Sequence, residues 1–248
     1  MTVPDELPRI IFEDEIILAI DKPAGIHVFT SSAGRQESVC RWLLALRPEL
    51  KDVGDKAAPA IVHRMDLFTS GALLAAKNNQ AYKDLRRAFS DKEISKIYIA
   101  LVEGELSQAT TLDRPIGARY RRSKIVTVSE NSRRLRGVRP AETRVEPLAT
   151  SGGLTLCRII IRTGMRHQIR AHLAHHGHPV VGDKDYGAQI TVDELGRRFF
   201  LHAWSLGLNH PQSHESLILT SPIPARLLQI LEAKGLSDSY LEQVATFS

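Results

Sequence analysis

The stretch Val62–Lys77 reads V-H-R-M-D-L-F-T-S-G-A-L-L-A-A-K, and the fold is best read outward from it. A basic pair, His63 and Arg64, and one carboxylate, Asp66, are followed by Thr69, Ser70 and Gly71, which read as a turn or tight loop. The chain then dives into an apolar run, Ala72 to Ala76. An acid beside an arginine at the mouth of a buried element suits a carboxylate whose ionisation its surroundings control. Asp is equally at home as a plain turn or cap residue. The rest of the chain has to decide between the two.

With 248 residues, 43% of them hydrophobic, the chain is long enough to bury a proper core as one large domain or two lobes. The formal charge is +5, and it is not spread evenly. Asp113–Glu146 holds ten Lys or Arg and four acids, a net of +6 that leaves the remainder at −1. Local basicity favours a patch that meets phosphates over a generally basic surface. Cys40 and Cys157 have neither metal-ligand spacing nor a disulfide framework, so inert thiols in a reducing compartment are expected. The N-terminus has no signal-peptide core, and no apolar run approaches the roughly 18 residues of a membrane span. A soluble, cytoplasmic protein is expected.

Around the opening stretch, residues 10–20 read as two short strands about a Glu-Asp-Glu turn, broken by Asp21-Lys22-Pro23-Ala24-Gly25. Ile26–Phe29 reads as a short strand, followed by a polar loop from Thr30 to Arg35. Val39–Leu46 is helical, with Val39, Trp42, Leu43 and Leu46 on one face. Lys51–Pro59 reads as a small, mobile loop. Asn78 or Asn79 caps a helix carrying Tyr82, Leu85 and Phe89 at helical spacing. Ile94–Val102 is rich in β-branched residues and argues for a strand with Lys96, Tyr98, Ala100 and Val102 on one face. Gly117, Gly137 and Pro140 point to hairpins in the basic segment. Leu154–Arg162 reads as a strand, and Met165–Gly177 as a helix with Gly177 at its C-terminal cap. Phe199–Leu208 reads as a strand, and Pro224–Lys234 as a final helix.

Several chemistries are disfavoured by spacing. Five histidines lie between His167 and His178, with His172 and His176 four apart, but no glutamate follows His172 as in H-E-x-x-H. Packing or RNA-facing roles explain them better than a metal. Phe68 stands where a G-x-S-x-G elbow needs its first glycine. There is no P-loop and no G-x-G-x-x-G, so a nucleotide cofactor is not expected. Paired carboxylates for glycoside hydrolysis are missing from the opening stretch. One carboxylate, several arginines, an aromatic-bearing strand and a basic patch remain. That set suits covalent chemistry on a nucleotide, with an Asp nucleophile, an Arg partner and a ring to stack on a base.

Four motifs together resemble the RluA-type pseudouridine synthases. Val62–Lys77 is similar to H-R-L-D-x-x-T-S-G-L-L-L-x-A-K, with Met65 in the Leu place, and Asp21–Gly25 to N-K-P-x-G. Lys96–Val102 is similar to K-x-Y-x-A-x-V, and Thr163–His172 with His178–Gly187 to T-G-R-x-H-Q-I-R-x-H and H-P-I-x-G-D-x-x-Y-G. The motifs fall in family order. Met165 stands where the family has the Arg of T-G-R, with Arg166 next to it. The resemblance implies isomerisation of uridine to pseudouridine in rRNA or tRNA, after base flipping, without cofactor or metal.

By motif position Asp66 is the catalytic aspartate, Tyr98 the ring against the target base and Arg170 the partner of Asp66. His63, Arg64, Thr69, Arg166, His167 and Gln168 are implied to bind substrate, Arg64 by filling the space of the flipped nucleotide. The implied fold is α+β: a mixed, largely antiparallel sheet with flanking helices and a central catalytic cleft between two sublobes. One catalytic domain over residues 1–248, acting as a monomer and without a separate S4-like RNA-binding domain, is the expectation. Two other readings are weighed. An RNA-binding module with lost or secondary catalysis has the retained Asp, Tyr and Arg against it, and a metal-dependent nuclease or hydrolase would declare itself by metal content.

Overall fold

The computed structural model describes residues 6–30, 37–120, 123–129, 135–196 and 198–236. Residues 31–35 of the expected polar loop, and Arg133 and Arg134 of the basic segment, lie outside these ranges. In chain order the elements are β1 (Arg9–Glu13), β2 (Ile17–Lys22), α1 (Val39–Leu46), β3 (Ser70–Ala76), α2 (Asn79–Ser90) and β4 (Ser95–Glu103). Then come β5 (Thr110–Leu112), β6 (Ile116–Ala118), β7 (Thr127–Val128), β8 (Arg136–Arg139), β9 (Thr143–Ser151) and β10 (Leu154–Ile161). The chain closes with α3 (Gln168–His175), β11 (Leu201–Asn209), β12 (Ser216–Thr220) and α4 (Ala225–Ala233). The class is α+β with a mixed, mostly antiparallel sheet and helices, as expected. Among the described residues no helix is long and apolar enough to cross a membrane.

Two compact units divide the chain. The first takes in Met1–Lys96 and Ala203–Pro222. Its sheet runs β1-β2-β3-β11, with β12 paired to β11, and β2 pairs antiparallel with β3 from Ile17↔Ala76 to Lys22↔Gly71. Every residue of β2 and β3 is buried, which is why β3 reads as an unbroken apolar run rather than an alternating one. Asn78 caps α2 by accepting from Ala81 N at 2.8 Å, and Leu85 is buried.

The second unit takes in Ile97–His202 and Ile223–Ser248. Its larger sheet runs β4-β10-β9-β5, with β9 and β10 antiparallel from Thr143↔Ile161 to Ser151↔Leu154. A separate small sheet, β7-β6-β8, forms from the basic segment, which is strand rather than helix as read, but Gly117 and Gly137 lie inside β6 and β8 and not at connections. Its inner residues Ile116, Val126 and Val128 pack with Ala141 and with Ala171 of α3, and Met165 and Tyr186 lie against this cluster.

Several local expectations need correction. Ile26–Phe29 is not a strand. Ile26 and Val28 are buried, but the backbone makes one bridge, His27↔Ser38, and hands its carbonyls at His27 and Val28 to the start of α1. Lys51–Pro59 is tied down, not loose: Val53, Ala58 and Pro59 are buried, and Gly54 N donates to Asn79 Oδ1 at 2.8 Å. On α1 the buried residues are Val39, Cys40 and Leu43, while Leu46 is 45% exposed. Ser70 and Gly71 belong to β3 rather than to a loop before it. Gly71, at φ +118°, sits where a Cβ would lie 2.7 Å from the backbone N and C of Ala203. The helix read from Met165 starts only at Gln168, and β12 was not anticipated.

Candidate active site

Asp66 sits at the first corner of a tight turn, with Thr69 N donating to its carbonyl at 3.2 Å. The plain-turn reading of this residue is therefore physically true and does not compete with a chemical role. Upstream, Val62 is buried, its carbonyl accepts from Arg86 Nη1 at 3.1 Å, and Ile61 bridges to Ala75 of β3. Downstream, Thr69 and Ser70 are buried as β3 begins. Asp66 itself is half-buried and Arg64 exposed.

A buried cation fixes the residue after Asp66. Lys22, wholly buried at the end of β2, donates from Nζ to Pro23 O at 3.0 Å, Ile26 O at 2.9 Å and Leu67 O at 3.2 Å. Three ammonium protons meet three carbonyls, which offsets the cost of desolvating the charge. Gly25 N adds a bond to the same Leu67 carbonyl at 2.8 Å, from a backbone at φ +94° that glycine tolerates. The Asp21–Gly25 loop is thus a clamp on the turn. Asp21 is buried too, bonded to Arg9 Nη2 at 2.7 Å and Ser221 Oγ at 2.8 Å.

His63 turns inward from this segment. Its Nε2 accepts from Leu74 N at 2.9 Å, and its ring stacks on Phe89 at 4.6 Å between centroids. A ring nitrogen that accepts cannot carry a proton, so His63 is neutral with its proton on Nδ1. Burial pushes its pKa down to about 3, helped by Lys96 and Arg86. Burial also lowers Lys96 to about 8, and its ammonium lies 5.5 Å from the Phe89 centroid. The sign for stability follows from linkage. Above its ordinary 6.5 the ring is neutral whether folded or not, and its contribution is complete. As pH falls from 6.5 toward 3, the unfolded chain takes up a proton that the folded chain refuses, and stability is lost. Melting temperatures recorded between about pH 7 and pH 4 should fall less steeply for His63→Gln than for the parent chain. Equal slopes would remove His63 from this role.

In the second unit the implied residues gather before and along α3. Arg170 is 4% exposed and forms a two-pronged pair with Asp183, Nε to Oδ2 at 2.6 Å and Nη2 to Oδ1 at 2.8 Å. Asp185 lies at 3.5 Å, and the rings of Phe199 and Tyr186 lie 4.4 and 4.8 Å from the guanidinium carbon. A paired, ring-stacked guanidinium is held in one orientation and stays charged. Gln168, 2% exposed, accepts from Thr163 Oγ1 and Met165 N and donates to Glu142 O and Thr143 Oγ1. Its amide wraps the irregular T-G-M-R segment, and all four of its bonds are made within the protein. Arg166 Nη2 donates to Ser123 O at 2.7 Å, tying this segment to the basic one. His167, at φ +54°, precedes α3 and meets the Tyr186 hydroxyl at 3.1 Å. Tyr98 is half-buried on β4.

His172, the first of the metal-like pair, is otherwise employed. His172 Nε2 must donate to Arg114 O at 2.8 Å, so its Nδ1 accepts from Thr143 Oγ1 at 2.8 Å. Burial lowers the pKa of this ring. Met165, in the place of the family arginine, packs into the apolar cluster under the small sheet.

Within the first unit, then, Arg64 and Thr69 lie on the segment and turn that carry Asp66, while the His63 ring is turned inward onto Leu74 N and Phe89. Within the second the structure gathers Arg166, His167, Gln168 and Arg170 around the start of α3, with Tyr98 on β4. Sequence reasoning passed over Lys22 and Asp183 as functional residues, although both stand in quoted motifs. A lysine beside Pro-Ala-Gly and an aspartate after Gly182 were the available signals.

Comparison with known proteins gives a consistent picture. Residues 16–175 match the family described as RNA pseudouridylate synthase. Ribosomal large subunit pseudouridine synthase D of Nitrosomonas europaea is 36% identical over 231 residues, covering 91% of this chain and 64% of that protein. Ribosomal large subunit pseudouridine synthase C of Pasteurella multocida is 36% identical over 234 residues, covering 91% and 67%. The chain thus spans about two thirds of the length of these curated relatives. The solved structure of human RNA Pseudouridylate Synthase Domain Containing 1 shares the fold, with a TM-score of 0.72 at 24% identity over 90% of this chain and 87% of that one.

Proposed function

The chain belongs to the RNA pseudouridylate synthase family, and from that premise we propose that it isomerises uridine to pseudouridine in large-subunit ribosomal RNA. The substrate class follows the names of its relatives. The observation that carries the proposal is the Asp66 turn, its backbone fixed by Thr69 on one side and by Lys22 and Gly25 through Leu67 on the other. Preorganisation of this kind is what a reacting carboxylate needs.

The reaction breaks the N1–C1′ bond of uridine, turns the uracil and joins C5 to C1′. C5 loses a proton to solvent and N1 gains one, so the change is redox-neutral, expels no leaving group and needs no cofactor. Asp66 is the nucleophile, Tyr98 the ring against the base and Arg170 the basic partner in the reaction. The target leaves its stack first, at a cost of a few kcal/mol that favours loops over duplex. A cytoplasmic monomer acting on RNA suffices for this chemistry. Pseudouridine maps of total RNA with and without the gene test the proposal. One or a few large-subunit rRNA sites should disappear and return with the gene. A lost tRNA site instead would move the substrate, and an unchanged map would refute the activity.

The basic segment supplies the phosphate grip in this reading. Arg136 and Arg139 are exposed on β8. Charge reversal of Arg133, Arg134 and Arg136 should weaken RNA binding and flatten its salt dependence by about one slope unit for each phosphate no longer neutralised. Binding titrations at several salt concentrations read this directly, and an unaltered slope would place the grip elsewhere.

A further inference from the structure

Tyr186 touches both the arginine and the basic sheet, with different ends of one side chain. Its ring lies 4.8 Å from the Arg170 guanidinium carbon. Its hydroxyl accepts from Val126 N at 3.1 Å, donates to Val126 O at 3.2 Å and meets His167 Nδ1 at 3.1 Å. A phenol has one proton, so with that proton on Val126 O the third bond runs from a protonated His167 Nδ1. Val126 leads into β7, and both Val126 and Tyr186 belong to the apolar contact between the small sheet and α3. The sheet carries the exposed Arg119, Lys124, Arg136 and Arg139 on its strands and turns. Arg166, bonded to Ser123 O, is a second tie at the same place.

We propose that Tyr186 is a positioning residue with two separable tasks: its ring orients Arg170, and its hydroxyl holds the basic sheet in the place where RNA is gripped. The proposal rests on the uridine-isomerising reading. Buried main-chain groups need partners, and at Val126 one hydroxyl satisfies both the N–H and the C=O. The guanidinium, already forked onto Asp183, is kept planar against the ring by cation–π attraction. Grip and charge are therefore set in one geometry by one residue.

Tyr186→Phe removes the hydroxyl and keeps the ring, whereas Tyr186→Leu removes both. With the full-length chain and deproteinised rRNA from cells lacking the gene, Tyr186→Phe should raise KM roughly five- to tenfold, the worth of lost hydrogen bonds, and hold kcat within about twofold. Tyr186→Leu should raise KM alike and lower kcat by about tenfold or more, as a misplaced charge does. Amide hydrogen exchange across residues 124–128 should quicken in both variants without RNA. A parental KM for Tyr186→Phe, or a kcat as low as that of Tyr186→Leu, overturns the division of tasks. Unchanged exchange at 124–128 overturns the tie itself, whatever the activity. Should the parent chain form no pseudouridine in this RNA, the functional reading falls, and the exchange measurement alone decides the tie.

Discussion

Asp66→Ala is expected to fold, to bind RNA and to lose pseudouridine formation by roughly 10⁴-fold or more, the scale seen when a nucleophile is removed. Folding survives because the turn is held through main-chain atoms. Thr69 N reaches the Asp66 carbonyl, and Lys22 and Gly25 reach the Leu67 carbonyl, all of which alanine at position 66 leaves in place. Activity does not survive because no neighbouring carboxylate on the turn replaces the lost one. Asp66→Asn separates charge from shape: it keeps the size and cannot ionise, so it should be as inactive as the alanine variant. Because C5 gives up its hydrogen in the reaction, tritium release from RNA labelled at uridine C5 follows turnover directly. Residual turnover within about tenfold of the parent for either variant would take Asp66 out of the reacting role.

Gly71→Ala should do its damage before chemistry begins. At φ +118° an alanine is strained, and its Cβ would sit 2.7 Å from two backbone atoms of Ala203 and closer still to the carbonyl oxygen. Backbone on both sides has no flexible end to swing away. Such overpacking belongs with the large single-site effects, more than about 4 kcal/mol. The melting temperature should fall by roughly 10 °C or more, or the protein should be insoluble. Gly207→Ala is the control on β11, the strand that opposes Gly71. There the nearest atom to a new Cβ is Ser95 Cβ at 3.7 Å, an ordinary contact, and the change should stay within about 1 kcal/mol. Comparable losses for both variants would mean that close approach at Gly71 is not the cause.

The same two positions show what was legible in the chain. The run Ala72–Ala76 announced a buried strand because both its faces are covered, and a residue pattern records burial well. Gly71 looked like a turn glycine because the local reading knows nothing of Ala203, whose approach is the reason a side chain is forbidden there. Ile26–Phe29 failed in the opposite sense. Ile26 and Val28 are buried, but burial does not mean pairing, and the backbone spends its bonds on the start of α1. At Met165–His167 helical spacing ran ahead of the helix, because the Gln168 amide holds that segment in an irregular path. Asp66, Tyr98 and Arg170 stood out by motif. The Asp183 fork on Arg170 did not, since a partner 13 residues away across a glycine-marked loop has no periodic signature.

The arrangement around Gly71 also has a consequence during synthesis. One edge of β3 is met by β2, made earlier, but the other is met by β11, roughly 130 residues further along. At bacterial or eukaryotic elongation rates that gap lasts on the order of ten seconds. For that interval the opening residues of S-G-A-L-L-A-A wait for their partner, whereas Leu74 N and Ala76 N already have His63 Nε2 and the Ala60 carbonyl. The same close packing that holds Gly71 in the finished strand is completed only once Leu201–Asn209 has been made.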